Sequence, residues 1–171
     1  MNYLWTPWRM SYIESLQERS QECVFCAKLD RDDKDEYVLR RGKECYAALN
    51  VFPYNTGHVL IVPHDHVATI EELAPDCLLE MMTLCQQVLA TLRLGYQPRG
   101  FNVGFNLGAA AGAGLPEHVH MHVVPRWVSD STFMSVVGET RILPELLDES
   151  WQRLRTLWDQ EFPLPDLNVP H

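Results

Sequence analysis

The sequence predicts an α+β fold, an antiparallel sheet of about five strands with two main helices. Three observations predict it. Short β-type runs punctuated by Gly, Pro and Asn recur through the first 127 residues. One long segment repeats its apolar residues at helical spacing, and a second helix follows near the C-terminus. Strands mixed with few helices are the signature of an α+β domain. At 171 residues, 46% of them hydrophobic, the chain can bury a full core, and residues 1–171 read as a single domain. It divides into an aromatic N-terminal segment (1–20), a core (21–127) and a C-terminal helix and tail (128–171).

The elements follow in order. Trp5, Trp8 and Tyr12 are too apolar for a free tail and are expected to pack on the body or on a second subunit. Residues 11–17 suit a short helix. Residues 30–36 form a charged surface loop. Tyr37 to Arg40 and Cys45 to Leu49 are β-like runs with a turn at Gly42. Asn50 to Gly57 is a loop, and His58 to Val62 a buried strand stopped by Pro63. From Pro75 to Leu94, residues Leu78, Met81, Met82, Cys85, Val88, Leu89 and Leu92 recur at helical spacing, with Gly95 as the expected cap. Phe101 to Asn106 is a strand, 107–116 a glycine-rich loop, and His118 to Val124 a strand stopped by Pro125. Leu143 to Gln160 is the second helix, followed by a Pro-containing tail.

Composition excludes several functions. Fourteen Lys and Arg against 23 Asp and Glu give a formal charge of −9, a poor match for nucleic acid. No apolar run approaches the roughly 20 residues that span a bilayer, and no secretory signal is expected. Five cysteines with one close pair argue against a disulfide framework and for a reducing, cytoplasmic location. Cys45, Cys77 and Cys85 read as buried apolar positions.

The chemistry concentrates in His118, His120 and His122, which alternate with Val119, Met121 and Val123. A strand has a side-chain period of two, so the histidines share one face about 7 Å apart. Three imidazoles there are costly to desolvate without partners. Two readings compete: a catalytic metal site, or one imidazole acting as a nucleophile toward phosphorus while the others orient it. The loop before them favours phosphorus. Gly108, Gly112 and Gly114 allow backbone amides to cradle an anion. Glu117 adjoins the histidines as a possible orienting group. Cys23 and Cys26 form a Cys-x2-Cys pair, half of a metal site.

The run His118-Val119-His120-Met121-His122-Val123-Val124 resembles the motif of the histidine triad family of nucleotidyl hydrolases and transferases. Leu49-Asn50-Val51-Phe52-Pro53, Gly57 to Pro63 and Phe101 to Asn106 resemble family segments in the expected order. The outer segments Leu4 to Met10, Ala111 to Gly114, Val124 to Trp127 and Thr140 to Glu145 are similar to bacterial members that phosphorolyse diadenosine tetraphosphate. The resemblance implies a histidine-triad-like fold and His120 as nucleophile toward an α-phosphorus. It implies His122 on the phosphate oxygens, with His58 and His118 completing the catalytic set. Asn106 and the amides of Gly112, Ala113, Gly114 and Leu115 would hold the phosphates. Asn50 would meet the ribose where the family often has Asp, a departure that removes a charge. Arg126 is the nearest cation to the triad.

The same resemblance implies a structural zinc held by Cys23, Cys26, His66 and His118, with His64 as a substitute for His66, and no organic cofactor. It also implies a homodimer or larger homo-oligomer, and a nucleotide as the partner, with no nucleic acid or membrane. Water in place of phosphate as acceptor, giving a hydrolase of diadenosine polyphosphates or adenosine phosphoramidates, stays an alternative, as does a non-catalytic nucleotide-binding module.

Overall fold

The computed structural model describes residues 23–128, 130 and 145–163. The helix expected at 11–17, the packing of Trp5, Trp8 and Tyr12, residues 140–144 and the tail beyond Pro163 lie outside the described residues. The chain runs through α1 (Val24–Ala27), β1 (Val38–Arg41), β2 (Cys45–Leu49), β3 (Val59–Pro63), α2 (Pro75–Tyr96), β4 (Gly100–Phe105), β5 (Met121–Arg126) and α3 (Leu147–Glu161). All five strands pair antiparallel in the order β1-β2-β3-β5-β4. No helix among the described residues is long and apolar enough to cross a membrane.

Helical periodicity puts Cys77, Met81, Leu84, Cys85, Val88 and Leu92 of α2 on one buried face. They meet Ala47, Ile61, Val119, Met121 and Val123, and α3 adds Leu154 and Trp158. Cys45, Cys77 and Cys85 are buried free thiols, as expected. The opposite sheet face is thinner. Phe25 of α1 packs there with Val38, Tyr46, Ala48, Leu60 and Val62.

Four expectations need correction. Gly95 does not cap α2. The helix runs on to Tyr96, and Gln97 adopts the left-handed cap at φ 47°. Gly95 instead admits α3, because a Cβ there would lie 3.1 Å from Leu157. Pro63 ends β3 as its last residue, but Pro125 does not stop β5, which continues to Arg126. Pro125 lies opposite Phe101 of β4. On its other side β3 pairing has stopped at Val59, so no ladder donor is missed. The second helix starts at Leu147, after Leu146. The charged loop lies on the surface as expected, anchored by Asp33 to Arg41 and Arg155 at 2.7 and 3.0 Å and by Glu36 to Lys28 at 2.6 Å. Finally, the regular ladder begins at Met121, not His118. Residues 118–120 form a lead-in held by Val119 N–H to the Val67 carbonyl at 2.7 Å.

Candidate active site and metal cluster

The lead-in preserves the alternation. Val119, Met121 and Val123 enter the helix-side core, while His118, His120 and His122 lie buried on the opposite side. His118 and His58 are completely buried. Neutral imidazoles carry one donor and one acceptor, so their contacts determine which nitrogen keeps a proton.

Three such chains meet here. The Tyr54 amide donates to Nδ1 of His58 at 3.0 Å. His58 therefore keeps its proton on Nε2 and donates to Nδ1 of His122 at 3.0 Å. His122 then carries its proton on Nε2, a buried atom with no partner in the structure. That N–H is a donor awaiting an acceptor, since an unpaired buried polar group is costly. His120 donates from Nδ1 to the His118 carbonyl at 2.9 Å, leaving the lone pair on Nε2. His118 donates from Nε2 to the Pro63 carbonyl at 3.0 Å, leaving the lone pair on Nδ1.

Burial holds the three imidazoles neutral. It lowers the pKa of His120, outweighing the carbonyl of His118. It also lowers that of His118, outweighing the Pro63 carbonyl, with His66 and His120 adding to the depression. For His122, burial and then the charge of a protonated His120 push the pKa down to about 4.

Gly104 faces His122 across the β4–β5 ladder. A Cβ on Gly104 would meet nothing within 4 Å, so the space beside His122 is open there. Asn106 follows one residue beyond the last paired position, Phe105. In the glycine-rich loop, Gly108 and Gly112 adopt φ values of 77° and 87°, which explains why glycine stands there. The Gly112 and Ala113 amides bond back to Ala109 and Gly108 at 3.0 and 3.4 Å. Those of Gly114 and Leu115 make no backbone bond among the described residues.

Asn50 sits beside His58, its Nδ2 3.3 Å from Nδ1, while its Oδ1 accepts the Phe52 amide. Arg126 is unsuited to offset phosphate charge. Both its Nε and Nη2 donate to Asp130 at 2.6 and 2.8 Å, and Nη1 to Asn102 at 2.7 Å. Glu117 is exposed and orients none of the histidines.

The cysteine pair reaches the triad from α1. Ligand atoms of Cys23, Cys26, His66 and His118 all lie within 4.8 Å of one another. Sγ of Cys23 is 3.3 Å from Nδ1 of His118, and Sγ of Cys26 is 3.2 Å from Nδ1 of His66. Tetrahedral bonds of about 2.0–2.3 Å imply ligand–ligand edges of roughly 3.3–3.8 Å, so this donor set fits a metal ion. The lone pair of His118 faces the cluster because Pro63 takes its other nitrogen, an ordinary way to orient a ligand. His64 takes no part; its ring stacks on Tyr46 at 6.2 Å.

Sequence reasoning did not find two aromatic residues. Tyr54 stacks nearly parallel to His122, 5.5 Å between ring centres at 14°. Phe25 packs on His118 and His120 at 5.4 and 4.8 Å. Phe25 lay in plain view inside the cysteine pair; for Tyr54 no pattern pointed to a role.

Fold and site define a protein whose sheet presents a buried, tautomer-fixed imidazole cluster beside a Cys2His2 donor set. The chain belongs to the HIT family, whose HIT domain model matches residues 31–128. It is 37% identical over 165 residues to the AP-4-A phosphorylase of Mycobacterium tuberculosis, covering 92% of this chain and 85% of that one. It is 32% identical over 93 residues to the asymmetrical bis(5'-nucleosyl)-tetraphosphatase of Schizosaccharomyces pombe, covering 54% and 50% of the two chains. A crystal structure of a Zn-bound histidine triad family protein from Mycobacterium smegmatis superposes with a TM-score of 0.67 at 28% identity, covering 84% and 97%.

Proposed function

We propose that this chain transfers a nucleotidyl group from a dinucleoside polyphosphate, diadenosine tetraphosphate, to inorganic phosphate. The observation that carries the reading is the fixed tautomer of His120: Nδ1 is spent on the His118 carbonyl, so Nε2 keeps a lone pair. Nε2 attacks the α-phosphorus, forming an N–P bond as the P–O bond to the β-phosphate breaks and ATP leaves. A phosphate oxygen then attacks the adenylyl phosphorus, breaking the N–P bond and releasing ADP and free His120. Two easier displacements replace one difficult step. The Nε2–H of His122, aimed through His58 and the Tyr54 amide, donates to a non-bridging oxygen as charge develops. Asn106 and the Gly114 and Leu115 amides bind the phosphates, and Asn50 the ribose.

The M. tuberculosis relative supports phosphate as acceptor; the S. pombe relative supports water in the same site. Product analysis separates them. ADP plus ATP formed only with phosphate supports the phosphorylase. AMP plus ATP formed without phosphate makes the chain a hydrolase. A catalytic metal on all three triad histidines is disfavoured, because the metal-type cluster among the described residues takes only His118.

The donor set and the Zn-bound relative support zinc as the resident ion. Zinc with four protein ligands is closed and stabilises the fold without activating water. Cys23, Cys26, His66 and His118 hold it. A homodimer joined edge to edge is part of the same reading, supported by the exposed Asn102, Val103 and Gly104 of edge strand β4. Free, buried cysteines suit a reducing cytosol.

A further inference from the structure

We infer that metal in the Cys23–Cys26–His66–His118 cluster positions the nucleophile, so that the cluster governs the rate of nucleotidyl transfer as well as stability. The inference rests on the proposed role of His120 and extends it to residues that touch no substrate atom.

Two separate contacts join the cluster to His120. The first runs through the backbone: His118 offers Nδ1 to the cluster, and its carbonyl accepts Nδ1–H of His120 at 2.9 Å. Movement of His118 therefore moves the atom that fixes the His120 tautomer. The second runs through α1. This four-residue turn carries Cys26, begins just after Cys23, and lays Phe25 on the His120 ring at 4.8 Å, tilted by 57°. Such a short turn has no stability of its own. Without metal its two thiols contribute weak hydrogen bonds to the histidines. Metal bonds lock four side chains from three separate stretches of chain.

The turn does not depend wholly on the metal. Tyr46 donates its hydroxyl to the Phe25 carbonyl at 2.9 Å, and Phe25 is buried with Val38, Leu60 and Val62. Emptying the cluster should therefore loosen the turn without unfolding the sheet. The cluster is also accessible, since His66 is exposed and both cysteines are half-buried. Phe25 and His118 are thus positioning residues for the nucleophile.

The experiment uses the full chain, loaded with Zn2+, emptied with a chelator and refilled with Zn2+. Two readouts are taken: the single-turnover rate of nucleotide attachment to His120, by mass spectrometry, and the 15N shifts of the His120 ring without substrate. The expected result is one bound zinc. Emptying it slows attachment by about 10-fold or more, with KM moving far less, and turns a fixed His120 tautomer into a mixture. Refilling restores both.

A second variant, Phe25→Leu, keeps all four ligands. It is expected to hold zinc yet lose part of the attachment rate and blur the His120 ring signals. Unchanged rate and ring shifts in the emptied, folded protein would overturn the inference, as would failure to bind zinc at all. If emptying unfolds the chain, zinc-loaded Phe25→Leu decides, and wild-type behaviour in both readouts sinks the proposal. Absence of any adduct in the loaded protein would instead count against the nucleotidyl-transfer reading, while the ring shifts still judge the coupling.

Discussion

The two faces of the sheet are built from one alternating run but obey different rules. On the helix face, Val119, Met121 and Val123 are sealed by two long helices, and close packing decides the outcome. On the other face, His118, His120 and His122 are covered by a single short turn and by loops, and hydrogen-bond direction decides. The difference teaches that burial here serves two purposes. The apolar face converts area removed from water into stability. The histidine face spends stability to hold neutral imidazoles in set tautomers.

Substitutions should separate the two faces, the largest effect coming from the nucleophile. His120→Asn removes the lone pair and is expected to lower turnover by more than about 1,000-fold, with no adduct and little change in melting. Substrate binding by calorimetry should persist. Activity near wild type would mean that His120 is not the carrier.

The mirror image is Met121→Ala, one residue away on the helix face. A buried Met truncated to Ala costs about 2–5 kcal/mol. Denaturant titration should show that loss, while turnover per folded molecule stays near normal at low temperature. A large catalytic loss in the folded variant would mean that the faces are not independent.

The alternation was legible because a strand's period is two whether or not its ladder is complete, which is why the face assignment survives although β5 starts only at Met121. The α2 stripe was legible for the corresponding helical reason. What escaped depended on partners distant in sequence. Gly95 reads as a cap until α3 is seen against it. Pro125 reads as a stop until β3 is known to end early. Arg126 reads as a cation beside the triad until Asp130 is seen to neutralise it. Which groups set the tautomers of His58, His122 and His118 was out of reach, because the Tyr54 amide and the Pro63 carbonyl meet the histidines only in the fold.

A pH series tests whether the histidine face carries the stability cost. The folded pKa of His122 is about 4, below the ordinary 6.5. As pH falls below about 6.5, the unfolded chain takes up a proton that folded His122 refuses. The contribution is thus harmless above 6.5 and erodes stability progressively down to about pH 4; His118 and His120 shift in the same direction. Denaturation midpoints should fall between pH 7 and 5, and fall less in His122→Asn. Identical slopes would show that His122 does not resist protonation in the fold.

The smallest effects belong to the rim of the histidine face, where geometry without charge is at stake. Gly104 lies opposite His122 with open space at its missing Cβ. Gly104→Val adds a β-branched side chain to an edge strand, which suits strand geometry and leaves stability nearly unchanged. Its branches would occupy the space beside the Nε2–H of His122, where a phosphate oxygen is expected. KM should rise by roughly 10-fold, with kcat less affected, since a filled subsite weakens ground-state and transition-state binding together. Arg126→Gln supplies the control on the same face. Because Asp130 already neutralises that guanidinium, removing its charge should change KM by less than about 2-fold. If Arg126→Gln proved the more damaging of the two, the substrate would cross the Arg126 end of β5 instead of the open space at Gly104, and the phosphates would have to be placed there.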